Sequence, residues 1–200
     1  MGFKSFYGQG SMFSKHELQQ NLLGTFEISL FMRSGVERFE VGVDQVLRSF
    51  LWPLVALPIA LIVTLFLSEG YSPWLLLILH SVRILLTYAL SLILVFFFCK
   101  RVNRMEFLYK YIIVQNWFEL ALLALIAPML VCLSIGMPVE QVENYAVFIT
   151  VLSYVYCGFI LTYSLRIPWE MGGFIAVSFM FIDETAFDVL KFVRDTLFVT

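Results

Sequence analysis

Apolar positions fall into two regimes along this chain. In the first fifty residues they recur between charges at intervals of three and four, and beyond that they merge into long runs. Ser14 followed by Glu17 has the spacing of a capping box, which predicts a helix start. Leu18, Leu22, Leu23, Phe26 and Leu30 then share one helical face. This helix is expected to end near Ser34 and Gly35, with the glycine as a left-handed cap. A second short amphipathic stretch carries Val36, Phe39, Val43, Val46, Leu47 and Phe50. Frequent charges make both segments interfacial helices rather than spans.

From residue 50 onward the runs reach membrane length. The first, 50–67, holds eighteen uncharged residues, about enough for a 30 Å hydrocarbon core. Pro53 and Pro58 should bend it. The second, 74–98, carries His80 and Arg83, and the third, 111–135, carries Gln115, Asn116, Glu119 and Pro128. The fourth, 146–165, has no charge. The last segment, 172–198, admits two readings. Its uncharged part stops after residue 182, and Asp183, Glu184, Asp188, Lys191, Arg194 and Asp195 follow among apolar residues. It is either a fifth span whose stripe of Glu184, Asp188, Lys191 and Asp195 faces the bundle, or a half-span followed by an interfacial helix. An acid facing lipid at a helix centre costs about 2.5–3.5 kcal/mol, so a fifth span needs its acids inside.

Composition agrees with the pattern. The chain is 60% hydrophobic, 17% aromatic and 14% charged, with mean hydropathy +0.88. Those values exclude disorder, coiled coils and small disulfide scaffolds. The expected fold is all-α: a polytopic helical bundle of about five spans behind a leader, 1–49, with the bundle occupying 50–200. The net charge of −2 gives no basic field for nucleic acid. Residues 1–20 lack the apolar core of a secretory signal. Cys99, Cys132 and Cys157 have no CxxC partner, so no metal is expected, and no cofactor either. HExxH, GxSxG, P-loop and GxGD-type patterns are absent, and a non-enzymatic role is expected.

Charge also orients the bundle. Arg48, the basic segment with Lys100, Arg101, Arg104 and Lys110, and Arg166 belong on the cytoplasmic side. Glu69, Glu140 and Glu143 belong outside.

Ionisable groups at membrane depth are the candidate chemistry. At about 1.5 Å per residue, Arg83 and Asp188 lie at one level and Glu119 and Asp183 near another. The structural reading makes Arg83 and Asp188 a neutralising pair that fixes the second span against the fifth. The functional reading has Glu119 and Asp183 share a proton or cation, with Asn116 and Gln115 as neutral ligands, because two close carboxylates cannot both ionise cheaply. Leu22, Phe26 and Leu30 are the expected membrane-surface contacts of the leader.

The overall plan resembles the Yip family (the Ypt/Rab-interacting type) and its bacterial relatives. The resemblance rests on the lead-in Arg33, Ser34, Gly35, Arg38, Phe39, Asp44, Arg48, Ser49 and Phe50, and on Asp183 in the last segment. It implies five spans with short loops, a cytoplasmic amino-terminal leader, a carboxyl end across the membrane and a bacterial inner-membrane setting. The Asp-Leu-Tyr-Gly-Pro signature of eukaryotic members is missing, so Rab binding is not implied. The expected partners are the lipid bilayer and an unidentified membrane or cytoplasmic protein, with self-association left open. The expected role is a membrane-organising or adaptor protein; the alternative is a small proton- or cation-coupled permease using the buried acids.

A reporter active only outside the cytoplasm should give a signal when fused after Thr200, beside a control fusion after Leu67. A cytoplasmic signal at Thr200 would reduce the bundle to four spans.

Overall fold

A computed structural model describes residues 14–67 and 73–197. The leading segment 1–13, residues 68–72 with Glu69, and residues 198–200 lie outside the described residues, as do the side chains of 63–67, 73, 194, 195 and 197. What is described is all-helical: α1 (Lys15–Ser29), α2 (Arg33–Glu37), α3 (Val43–Ser49), α4 (Leu51–Leu67), α5 (Pro73–Arg101), a 3₁₀ turn (Met105–Phe107), α6 (Leu108–Ser134), α7 (Val139–Leu165) and α8 (Trp169–Leu197).

Four stretches are long and apolar enough to cross a bilayer: Val43–Ile62, Trp74–Arg101, Met105–Ser134 and Val139–Leu165. Their outer surfaces expose large apolar side chains such as Leu54, Ile78, Leu85, Phe97 and Val151. A bundle in water would turn such residues inward, and a continuous apolar exterior of this kind belongs in lipid. The chain is a membrane protein. α8 is as long as α5, 29 residues each, but it is more charged. It forms one unbroken helix packed along α7 and α5, so no break separates a half-span from an interfacial helix.

The stripe on α8 lies elsewhere than expected. Glu184, Asp188 and Lys191 are exposed, while Gly172, Ile175, Ala176 and Phe179 are buried. Small residues decide which face packs. A Cβ on Gly172 would come within 2.8 Å of the Gly158 carbonyl oxygen, so only glycine lets α8 cross α7 this closely. Arg166 (φ +53°) closes α7 in the left-handed region, and Pro168 precedes α8.

The leader is part of the bundle. Ser14 caps α1 by accepting the Glu17 N–H at 3.1 Å. The reciprocal half of the box is not made, because the Glu17 carboxylate pairs with Arg48 of α3 at 3.0 Å. α1 ends at Ser29, five residues before the expected stop at Ser34, and the left-handed residue is Phe31 (φ +55°). Gly35 sits inside α2 instead, where its missing side chain admits α1: a Cβ there would lie 2.5 Å from the Gly24 carbonyl oxygen. The chain thus forms a tight helical hairpin with Leu30, Phe31 and Met32 exposed at its tip.

That hairpin is packed inside out. α1 buries Asn21, Gly24, Thr25 and Ile28 and exposes Leu22, Leu23, Phe26 and Leu30, with Phe26 61% exposed. The tip docks on α7, where Phe31 stacks on Tyr156 at 4.4 Å and the Tyr156 hydroxyl donates to the Ser29 carbonyl at 2.8 Å. Tyr156 lies about 13 Å along the helix from the α7 end at Leu165. The returning limb reaches the start of α6, where Lys110 donates to the Phe39 carbonyl at 2.7 Å.

Glu27 and Arg38 clamp the two limbs at 2.5 Å, and Ser34 donates to the same carboxylate at 2.9 Å. The Arg38 hydrogen bond holds the Glu27 carboxyl below its ordinary 4.5 against opposing desolvation, with Ser34 helping. A carboxyl depressed by folding adds stability that is complete above its unfolded pKa and lost as pH falls through the folded one. Protease protection of the hairpin should therefore hold at neutral pH and fall below about pH 4.5. Glu27→Gln should lower protection at neutral pH and remove that acid-side drop; an unchanged acid profile would refute the clamp.

Candidate functional site

The polar residues at membrane depth fall into two neighbouring groups. The first is a hydrogen-bonded knot centred on Asn116, which is fully buried on α6. Tyr88 of α5 donates to Asn116 Oδ1 at 2.5 Å. Asn116 Nδ2 donates to Ser49 Oγ at 2.9 Å, and Ser49 donates to the Val46 carbonyl at 2.7 Å. The chain of bonds joins α3, α5 and α6. Trp52 and Trp117 pack beside it, with ring centroids 4.8 Å apart.

The second group lines a cavity of about 230 Å³ between α5, α6, α7 and α8. Glu119 and Gln115 enter from α6, Tyr88, Thr87 and Ser91 from α5, Tyr154 from α7 and Asp183 from α8. Glu119 and Asp183 therefore face one space, as the counting of depth suggests. Asn116 does not line it, since its amide is committed to the knot.

Arg83 meets Asp183 at 3.8 Å, not Asp188, and its guanidinium also lies over the Phe187 ring, 5.4 Å from the centroid. The expected partner, Asp188, lies on a different face of α8. Five residues of helix turn the side chain by about 140°, which carries Asp188 onto the exposed face. At 3.8 Å the contact is an ion pair without a good hydrogen bond. Asp183 thus serves two neighbours, the Arg83 charge and the cavity.

No family model matches the chain, and neither the characterised proteins nor the solved structures compared with it give a match. The site therefore rests on its own geometry. Carboxylates, phenols and an amide around a small space can hold a proton or a weakly bound cation. Among the described residues no cluster of three His, Cys, Asp or Glu has metal-site geometry.

Leu22, Phe26 and Leu30 form the outer face of α1, with exposures of 46%, 61% and 56%. Sequence reasoning missed Tyr88 and Ser49 as polar partners. Tyr88 sits in an apolar run and Ser49 beside Arg48 at the end of the leader, and their only signal is that a buried asparagine must find partners.

Asn116→Leu should leave the Tyr88 hydroxyl without its acceptor and remove the bond that Ser49 accepts, at a cost of about 1–2 kcal/mol, read by reversible unfolding in mixed micelles. Stability equal to the parent would show that the knot does not hold the helices together.

Proposed function

We propose that this chain is a non-enzymatic membrane-organising or adaptor protein resembling the Yip family, with five spans in a bacterial inner membrane. Its amino terminus and leader lie on the cytoplasmic side, where the basic segment after α5 also lies, and its carboxyl end lies outside.

The observation that carries the reading is the inverted packing of α1. A leader built to present a surface to a soluble partner would bury its leucines and show its polar residues. This one buries Asn21 and Thr25 and shows Leu22, Phe26 and Leu30. With its tip against Tyr156, about 13 Å from the end of α7, the hairpin occupies one leaflet only. Apolar volume added to a single leaflet widens the protein there and favours bending of the sheet. The bilayer is then its first partner. The exposed Glu184, Asp188 and Lys191 on α8 favour a second, protein partner or another copy of the chain, since charges on a span avoid lipid.

A second reading has a specific observation behind it: Glu119 and Asp183 line one cavity. It makes the chain a small proton- or cation-coupled permease, or a subunit of one.

The two separate in one reconstitution. The organising role predicts that Leu22→Ser, Phe26→Ser and Leu30→Ser together abolish any reduction of vesicle diameter caused by the protein, while Glu119→Gln and Asp183→Asn leave it intact. The permease predicts dye-reported proton or cation flux that falls at least tenfold in Glu119→Gln and is unaffected by the leader changes. Parent protein that changes neither diameter nor flux would defeat both readings.

A further inference from the structure

The basic end of the bundle contains a cleft that neither reading uses. It has a volume of about 450 Å³ and lies between α2, the 3₁₀ turn with the start of α6, and the end of α7. Arg33, Lys110 and Arg166 line it, together with the carboxylates Glu37 and Glu106 and the hydroxyl of Ser164.

We propose that this cleft binds the phosphodiester of an anionic glycerophospholipid headgroup. Three features carry the assignment.

The first is an unmatched donor. Ser164 is 1% exposed, it is among the residues that border the cleft, and its buried Oγ has no hydrogen-bond partner. A buried hydroxyl left this way costs about 1–3 kcal/mol. An acceptor arriving in the cleft would remove that cost. Serines in helices normally satisfy themselves on a carbonyl one turn back, as Ser81 and Ser178 do here.

The second is unspent positive charge. Among the described residues neither Arg33 nor Arg166 has an ion-pair partner. Lys110 donates to the main-chain carbonyls of Phe39 and Glu37, which leaves its charge without a contacting carboxylate. Arg166 is held in place from two sides, by its left-handed backbone and by the Phe107 ring 4.9 Å below its guanidinium. Arg104 lies over the same ring at 5.7 Å. Two like charges gathered on one aromatic ring repel each other unless an anion sits near both. Guanidinium groups match the paired oxygens of a phosphate.

The third feature separates a lipid from free phosphate. The rim of the cleft includes Val41 and Tyr163, both exposed, and Phe31 and Met32 are exposed at the hairpin tip. This apolar border meets lipid, so acyl chains can lie against it while the headgroup turns inward. Glu37 and Glu106 repel a second negative charge and accept hydrogen bonds from glycerol hydroxyls. A singly charged headgroup such as phosphatidylglycerol suits that balance.

The inference rests on the chain lying in a membrane with this end at the interface, and on neither functional reading. The test is retention of lipid by the delipidated full-length protein in neutral detergent, read by native mass spectrometry. Phosphatidylglycerol and phosphatidylcholine would be added at equal concentration. Phosphatidylglycerol should be retained in preference, and Arg33→Gln should lower that preference about fivefold, with Arg166→Gln lowering it by a similar factor. Ser164→Ala should lower it about threefold while helix content stays unchanged. Arg33 is exposed at the surface, so its variant carries the test if the Arg166 variant does not fold. Equal retention of both lipids, or a preference that survives Arg33→Gln, would overturn the proposal. Displacement of the lipid by millimolar inorganic phosphate would overturn the lipid assignment in favour of a free-phosphate site.

Discussion

A helix that meets lipid on one side and protein on the other cannot use the packing rule of water-soluble proteins. Lipid tails are as apolar as leucine, so burying leucine against protein gains little. Close approach and satisfied polar groups must hold the helices together. This constraint accounts for most of the arrangement. Where α1 meets α2 the contact residues are Gly24 and Gly35, and where α7 meets α8 they are Gly158 and Gly172. In both places one added methyl group would collide with a backbone carbonyl. Bulk is pushed outward as a result, which is why α1 shows its leucines.

The same constraint makes the interior polar groups interdependent. Asn116 can be fully buried only because Tyr88 and Ser49 are aimed at it from two other helices. Ser49 in turn is at the right height because the leader returns to α6 and is held by Lys110 at Phe39. The neighbouring cavity takes a polar residue from each of four helices, and Arg83 pairs with Asp183 beside it. Remove the leader and the knot loses a limb.

Hydrophobic run lengths made the membrane class and the four long apolar segments legible, and Ser14 with Glu17 marked the start of α1. The faces were not legible. A depth count along a helix gives height but not azimuth: it groups Glu119 with Asp183, which line one cavity, and chooses Asp188 for Arg83, which meets Asp183 instead. On α8, charge spacing identifies a stripe but not its direction, because Gly172, which decides the packed face, lies about three turns before Glu184. Gly35 has the sequence signature of a stop signal, since sequence alone cannot distinguish a glycine that turns the chain from one that admits a neighbour. The basic cleft drew no notice either. Its residues come from three places in the chain, and each on its own resembles ordinary loop charge.

The docking of Phe31 on Tyr156 has a consequence in time. The hairpin leaves the ribosome before α7 does, and the hydroxyl that binds Ser29 belongs to a residue 127 positions later. Until α7 is made, the hairpin has neither the aromatic surface nor the hydroxyl donor of its final site. Its apolar face gives it somewhere to wait, on the membrane surface beside the helices being inserted. The last steps of assembly are then a lateral capture of the chain's beginning by its later spans. The order of synthesis and the order of completion run in opposite directions.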